Sequence, residues 1–280
     1  SAPFAANLSA KIMRKYPAFR NNMQTIKSLI INSSNISEPN ENFDKISNHT
    51  IGTGIPDENI ALNSSDDYLT IILEDEINPE KLKCFSLKLP SYLIDLEHTT
   101  QSIIKISSTL CFSFEPNSKS EFTYCPIHMS FLLTHNRDLE NYTFDKYGKI
   151  VESHGINYNN ISNIKLKNSW SQDYYFKPKP LSNVQKITQK LTKKDLLKNI
   201  DSDGNVQIKL AVSCKLHKLL NDIDKTKIEN IPVKYSLVIS IEELPYKDKT
   251  SGRLYDELSA INNFENIIIS ESDTELEAEN

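Results

Sequence analysis

The chain has no apolar run approaching the roughly 18 residues that cross a bilayer as a helix, and no stretch with the charged, apolar and small-residue order of a signal peptide. A membrane is therefore not an expected partner. A C-x-x-C pair is also missing. Cys84, Cys111, Cys125 and Cys214 stand singly in apolar or strand-like stretches, which predicts buried free thiols in a reducing, cytoplasmic setting. The net charge of -5 supplies no general basic field to gather phosphates, so nucleic acid is not expected as a partner either. His49, His98, His128, His135, His154 and His217 form no i, i+4 pair and no H-E-x-x-H motif. They read as packed or exposed residues, with no metal or cofactor implied. "DSDGN" at 201–205 begins like a calcium loop, but its glycine falls at the fourth position where the sixth is needed, and Val212 stands where a bidentate Glu should be. An Asp-Gly turn ahead of a strand is the better reading. "GTGIPD" fails as a dinucleotide fingerprint because Asp57 fills its sixth position and no strong strand precedes it.

What is present suits a folded protein with a sizeable core: 280 residues, 38% hydrophobic and 25% charged. Near the start, Phe4, Leu8 and Ile12 recur every fourth residue among Ala2, Ala5, Ala6 and Ala10, predicting a helix over 1–16 with Pro3 in its first turn and Pro17 at its end. A second helix is predicted over 21–31 on the stripe of Met23, Ile26 and Ile30. Residues 32–50 are polar and aperiodic and read as a long surface loop. "IGTGIPDENIAL" reads as a turn feeding a short helix. From Asp66 onward six segments, "YLTIILED", "KLKCFSLKLP", "SIIKISSTLCFSF", "IHMSFLLTH", "VQIKLAVSCKL" and "VKYSLVISIEEL", are short, β-rich and bounded by turns. Six such segments predict an antiparallel sandwich. Residues 137–200 are polar and aromatic, with an amphipathic helix expected over 184–200 whose lysines form its wet face. The ending "ESDTELEAEN" is expected to be a solvated acidic tail.

Ser1-Ala2-Pro3, followed by Ala5-Ala6-Asn7 and an apolar helix, resembles the end of the nucleophile motif of subtilisin-like serine peptidases, Gly-Thr-Ser-x-(Ser/Ala)-x-Pro. The succession of elements after that helix is similar too: a second helix, then a Gly-x-Gly turn and a short helix at Gly52, Gly54, Asp57 and Ala61, with Thr53 where members often carry Tyr. "IIKISSTLCFSFEP", "YCPIHMSFLL" and "KYSLVISIEEL" look like successive strands of the β-rich extension found in a bacterial subgroup. The resemblance implies an α/β subtilisin-like core remnant, its C-terminal helices only, over 1–65. An antiparallel β-sandwich-like domain would occupy 66–265, and the acidic tail 266–280.

In the family's pattern the reactive serine stands four positions before the proline, which puts it two residues ahead of Ser1. Ser1, Ala2 and Pro3 are then a motif remnant, with no catalytic residue in this chain. The implied activity is serine endopeptidase action on a polypeptide substrate by an Asp/His/Ser triad lying upstream. The extension would gate substrate or dock a partner, with an AAA-type ATPase as partner and anti-phage defence as setting. A helix normally packed in a peptidase core would also leave an apolar patch around Phe4, Leu8 and Ile12 on this chain. Two other readings stand beside this one. One is a non-catalytic β-sandwich binding module for protein or carbohydrate, with aromatics at Trp170, Tyr174, Tyr175 and Phe176. The other is a peptidase relative whose triad has been lost.

Overall fold

The computed structural model of the chain describes residues 2–35, 53–95, 100–117, 123–135, 142–144, 150–153, 183–200, 204, 206–245, 250–261 and 267–268. Helix α1 (Ala2–Lys15) tolerates Pro3 because the first-turn N–H groups have no intrahelical acceptor. A single 3-10 turn, Pro17–Phe19, reverses the chain into helix α2 (Met23–Asn32), where the Asn22 side chain accepts from the Thr25 N–H at 3.3 Å. Two-residue strands β1 (Ser34–Asn35) and β2 (Ile55–Pro56) pair antiparallel ahead of helix α3 (Glu58–Leu62).

The six strands expected from the sequence are all present: β3 (Tyr68–Ile77), β4 (Lys81–Leu89), β5 (Ser102–Phe112), β6 (Ile127–His135), β10 (Val206–Leu216) and β11 (Val233–Glu243). A short hairpin, β7 (Tyr142–Phe144) with β8 (Ile150–Ser153), strand β9 (Val184–Thr192) and the two-residue β12 (Ile267–Ile268) complete the described strands. They form an antiparallel five-stranded sheet in the order β12-β3-β11-β5-β9 and an antiparallel three-stranded sheet in the order β4-β10-β6. Period-two alternation explains how they meet. Val206, Ile208, Leu210, Val212 and Cys214 of β10 turn inward towards Val233, Tyr235, Leu237, Ile239 and Ile241 of β11, and all ten lie in one buried cluster. Gly204 has φ 83 beside the antiparallel Ile200–Val206 bridge, while the other residues of "DSDGN" lie outside the described ones.

The opposite face of the five-stranded sheet is covered as well. Ile72 of β3 and Val238 of β11 share a second buried cluster with Leu8, Ile12, Phe19, Ile26, Leu29 and Ala61. The molecule is thus layered as helices, five-stranded sheet and three-stranded sheet. This corrects one expectation: Leu8 and Ile12 are 1% and 0% exposed, so of the patch expected around α1 only Phe4, at 41%, reaches solvent. The sheet itself supplies the apolar partner.

A second correction concerns 184–200. The amphipathic helix expected there is strand β9 followed by the short helix α5 (Lys193–Leu197). The edge of β5 offers backbone partners along Ser102–Cys111, and Thr192 starts the helix only at its own position through a capping box. Its hydroxyl accepts from the Asp195 N–H at 3.3 Å, while Asp195 accepts from the Thr192 N–H at 3.0 Å. Lys190 is exposed on β9, an edge strand among the described residues, where charge discourages pairing with another chain. Short helices α4 (Tyr92–Asp95), α6 (Asp222–Ile228) and α7 (Leu254–Ile261) occupy the connections.

Candidate functional site

Helix α1 has two unlike faces. Leu8 and Ile12 point into the molecule, while Ala2, Pro3, Phe4, Ala6, Asn7 and Ala10 are exposed. No acidic residue stands in its first turn. Beside it lies the turn read as Gly-x-Gly. Gly54 has φ 95, a left-handed conformation that glycine adopts without a Cβ penalty, and Asp57 accepts from the Ile60 N–H at 3.0 Å to cap α3. Lys11 of α1 meets Glu58 at 2.6 Å, and the Tyr16 hydroxyl donates to the Leu62 carbonyl. Pro3, Gly54 and Asp57 are therefore carried on or beside neighbouring helices. Ser1, Gly52, Trp170, Tyr174, Tyr175, Phe176 and residues 269–280 lie outside the described residues, whereas Ile267 and Ile268, expected to belong to the tail 266–280, form β12 on the edge of β3.

Between α2 and the five-stranded sheet runs a buried polar network. The Asn32 amide donates to Ser240 Oγ at 2.6 Å and accepts from the Thr109 hydroxyl at 3.0 Å. Ser240 Oγ also accepts from Tyr68 at 2.7 Å and lies 2.8 Å from Thr70 Oγ1. Burial pushes the Tyr68 phenol up to about 12, with the Ser240 and Thr70 contacts working the other way. At the end of α2, Lys186 reaches in from β9 and donates to the Ile31 and Asn32 carbonyls, both at 3.0 Å, and to that of Ser34. The Ile31 and Asn32 carbonyls lie in the last turn of α2, at the negative end of its dipole, and Ser34 opens β1 just beyond it. Burial, with Lys105 adding repulsion, pushes the Lys186 ammonium down to about 8. Thr25 extends the polar line by donating to Glu74.

Other polar groups pin the ends of the sandwich. Buried Glu243 accepts from the Tyr92 hydroxyl at 2.7 Å and from the Ser251 N–H at 2.6 Å, and the Arg253 guanidinium lies 4.8 Å from the centre of the Tyr92 ring. Lys83 donates to Asp75 at 2.7 Å, and Tyr235 reaches the same oxygen at 3.2 Å. His128 and His217 come together with ring centres 4.8 Å apart, a pairing that no local spacing announced. The four cysteines are buried and free, and burial raises each thiol above its ordinary value. Among the described residues no group of three or more His, Cys, Asp or Glu could hold a metal ion, and no helix is long and apolar enough to cross a membrane.

No protein-family model and no curated protein matches the chain. Among solved structures it is similar to VP1 of Trichodysplasia spinulosa-associated polyomavirus, solved with sialylated precision glycooligomers, at 8% identity over 63% of this chain and 78% of that chain, with a TM-score of 0.11. It is likewise similar to Merkel cell polyomavirus VP1, solved with the GD1a oligosaccharide, at 9% identity over 64% of this chain and 78% of that chain, with a TM-score of 0.12. Likeness at that level carries no argument about fold or function. What defines the molecule is its own architecture, a β-rich protein of antiparallel sheets with a helical layer packed on one of them.

Proposed function

We propose that this chain is the C-terminal part of a subtilisin-like serine endopeptidase, in which α1 is the helix behind the nucleophile and the sandwich is an extension that gates substrate or docks a partner. The observation that carries the reading is the outer face of α1. A helix with one face in a core normally shows charged and polar residues to water. Here the first turns of α1 expose Ala2, Pro3, Phe4, Ala6 and Ala10 around the single polar Asn7, mostly small and apolar groups suited to close packing against a second body, while the exposed charges Lys11, Arg14 and Lys15 come only further along. Such a helix is wanted behind a serine nucleophile. The unpaired N–H groups and dipole at its start favour the negative charge of a tetrahedral intermediate, and its buried side keeps the serine from drifting.

On this reading the serine precedes Ser1 by two residues, and the Asp, His and oxyanion Asn lie further upstream. The serine attacks the peptide carbonyl, His takes and returns the proton, and Asp orients the His. The 280 residues alone are expected to hydrolyse nothing. The polypeptide substrate, an AAA-type ATPase partner and a place in anti-phage defence belong to the same proposal through the family resemblance. Reading the coding sequence immediately before Ser1 tests it. Gly-Thr-Ser-x in that position supports the proposal, whereas any sequence without a serine two residues ahead of Ser1 overturns it in favour of a non-catalytic β-sandwich binding module.

A further inference from the structure

We infer that Lys186 and Asn32 are positioning residues that clamp the α1–α2 pair to the five-stranded sheet, so that the sandwich sets where α1, and any group mounted at its start, is held. The use of this clamp in catalysis rests on the peptidase reading; the clamp itself does not.

The helix-facing side of the sheet is the starting point. Register places Thr70, Ile72 and Glu74 of β3 beside Ser240, Val238 and Ser236 of β11, and these beside Ser107, Thr109 and Cys111 of β5. Only Ile72 and Val238 of that surface enter the apolar cluster shared with the helices. Apolar burial is non-directional, so two aliphatic side chains attract the helices without fixing their slide or rotation. Directional bonds are needed for that; Thr25 to Glu74 and Lys27 to Asn183 lie along the helix, and the densest group is at its C-terminal end. Asn32 bonds Ser240 of β11 and Thr109 of β5 at 2.6 Å and 3.0 Å, and Lys186 of β9 takes the carbonyls of Ile31, Asn32 and Ser34. Three adjacent strands thus grip one end of α2. Helix α1 is held differently: Leu8 and Ile12 share a buried cluster with Ile26 and Leu29 of α2. A movement of α2 is therefore passed to α1 through close packing.

The 280-residue chain tests the clamp directly by hydrogen exchange. Lys186→Met keeps the length and apolar stem but removes the charge and all three bonds, and Lys186→Arg restores a cation. Charge-assisted bonds of this kind hold a helix end strongly enough that Lys186→Met should speed amide exchange in α1 and α2 by about tenfold or more, while β10 and β11 keep their rates and Lys186→Arg stays near wild type. Thr109→Val, which removes one donor to Asn32, is a milder variant should Lys186→Met not fold. Unchanged exchange in α1 and α2 in both variants overturns the clamp. In the natural protein carrying the upstream serine, displacement of about 1 Å at a reacting group costs up to about a hundredfold, so Lys186→Met should lower kcat at least about tenfold with KM within about twofold. Faster exchange in α1 with unchanged kcat would overturn the positioning role. A natural protein with no peptidase activity at all would remove the peptidase reading, and the exchange experiment would still decide the clamp.

Discussion

Gln185 holds the two sheets together at their open side, and its replacement is the sharpest stability test the fold offers. Among the described residues, strand β6 pairs with β10 on one side only, which leaves the N–H and C=O of Phe131 facing away from the ladder. The Gln185 amide satisfies both, accepting from the Phe131 N–H at 3.1 Å and donating to its carbonyl at 3.3 Å. Gln185 is 8% exposed and Phe131 is fully buried, so water cannot readily take over. Leaving a buried donor or acceptor unpaired costs about 1–3 kcal/mol each, which makes Gln185→Ala destabilising by about 2–6 kcal/mol. Gln185→Glu keeps the acceptor but turns a carboxylate oxygen toward a carbonyl, so it should be no milder. Urea denaturation reads the result as a fall in midpoint with an unchanged slope. A Gln185→Ala midpoint shift equivalent to less than about 0.5 kcal/mol, the ordinary scatter of surface substitutions, would refute the clasp.

Three further outcomes are expected. Leu8→Ala should cost about 2–5 kcal/mol and shift the transition of the whole chain, because its neighbours Ile72 and Val238 belong to the sheet; calorimetry showing an unaltered main transition would contradict that packing. Tyr92→Phe removes a donor to buried Glu243 and should cost about 1–3 kcal/mol in the same urea assay, with no loss counting against the Glu243 pin. The thiols of Cys84 and Cys214 are raised by burial from their ordinary 9.0, so the unfolded chain gives up these protons while the folded chain keeps them. Their stabilisation is complete below pH 9 and is lost above it, by about 1 kcal/mol each near pH 10. Lys186, lowered to about 8, gives the opposite slope between there and its ordinary 10.5. The Cys84→Ala, Cys214→Ala double variant should therefore lose less stability between pH 8 and 10 than wild type, and an equal loss would rule out the thiols as its source.

The strands are legible in the sequence because their apolar and β-branched residues come in short runs closed by turns. The run "LTIIL" in β3 also encodes the layering. Leu69 and Ile71 face the three-stranded sheet while Ile72 faces the helices, so a near-continuous apolar strand signals burial on both sides. Strand β9 reads as a helix because Ile187 and Leu191 lie four apart, a spacing a helix also uses, and only the neighbouring β5 edge decides between them. Asp57 as a cap and Gly54 as a turn are visible locally. The Asn32–Ser240 bond spans 208 positions, and the His128–His217 pair joins β6 to the residue just after β10, so neither has a local signature.

The most direct measurement is to treat the natural protein with a fluorophosphonate probe and locate the adduct by mass spectrometry. A nucleophilic serine in front of α1 predicts one modified residue, the serine two positions ahead of Ser1, with labelling abolished when the upstream His is replaced. Absence of any adduct, or an adduct that persists when that serine is changed to Ala, would contradict the assignment of α1 as the helix behind the nucleophile.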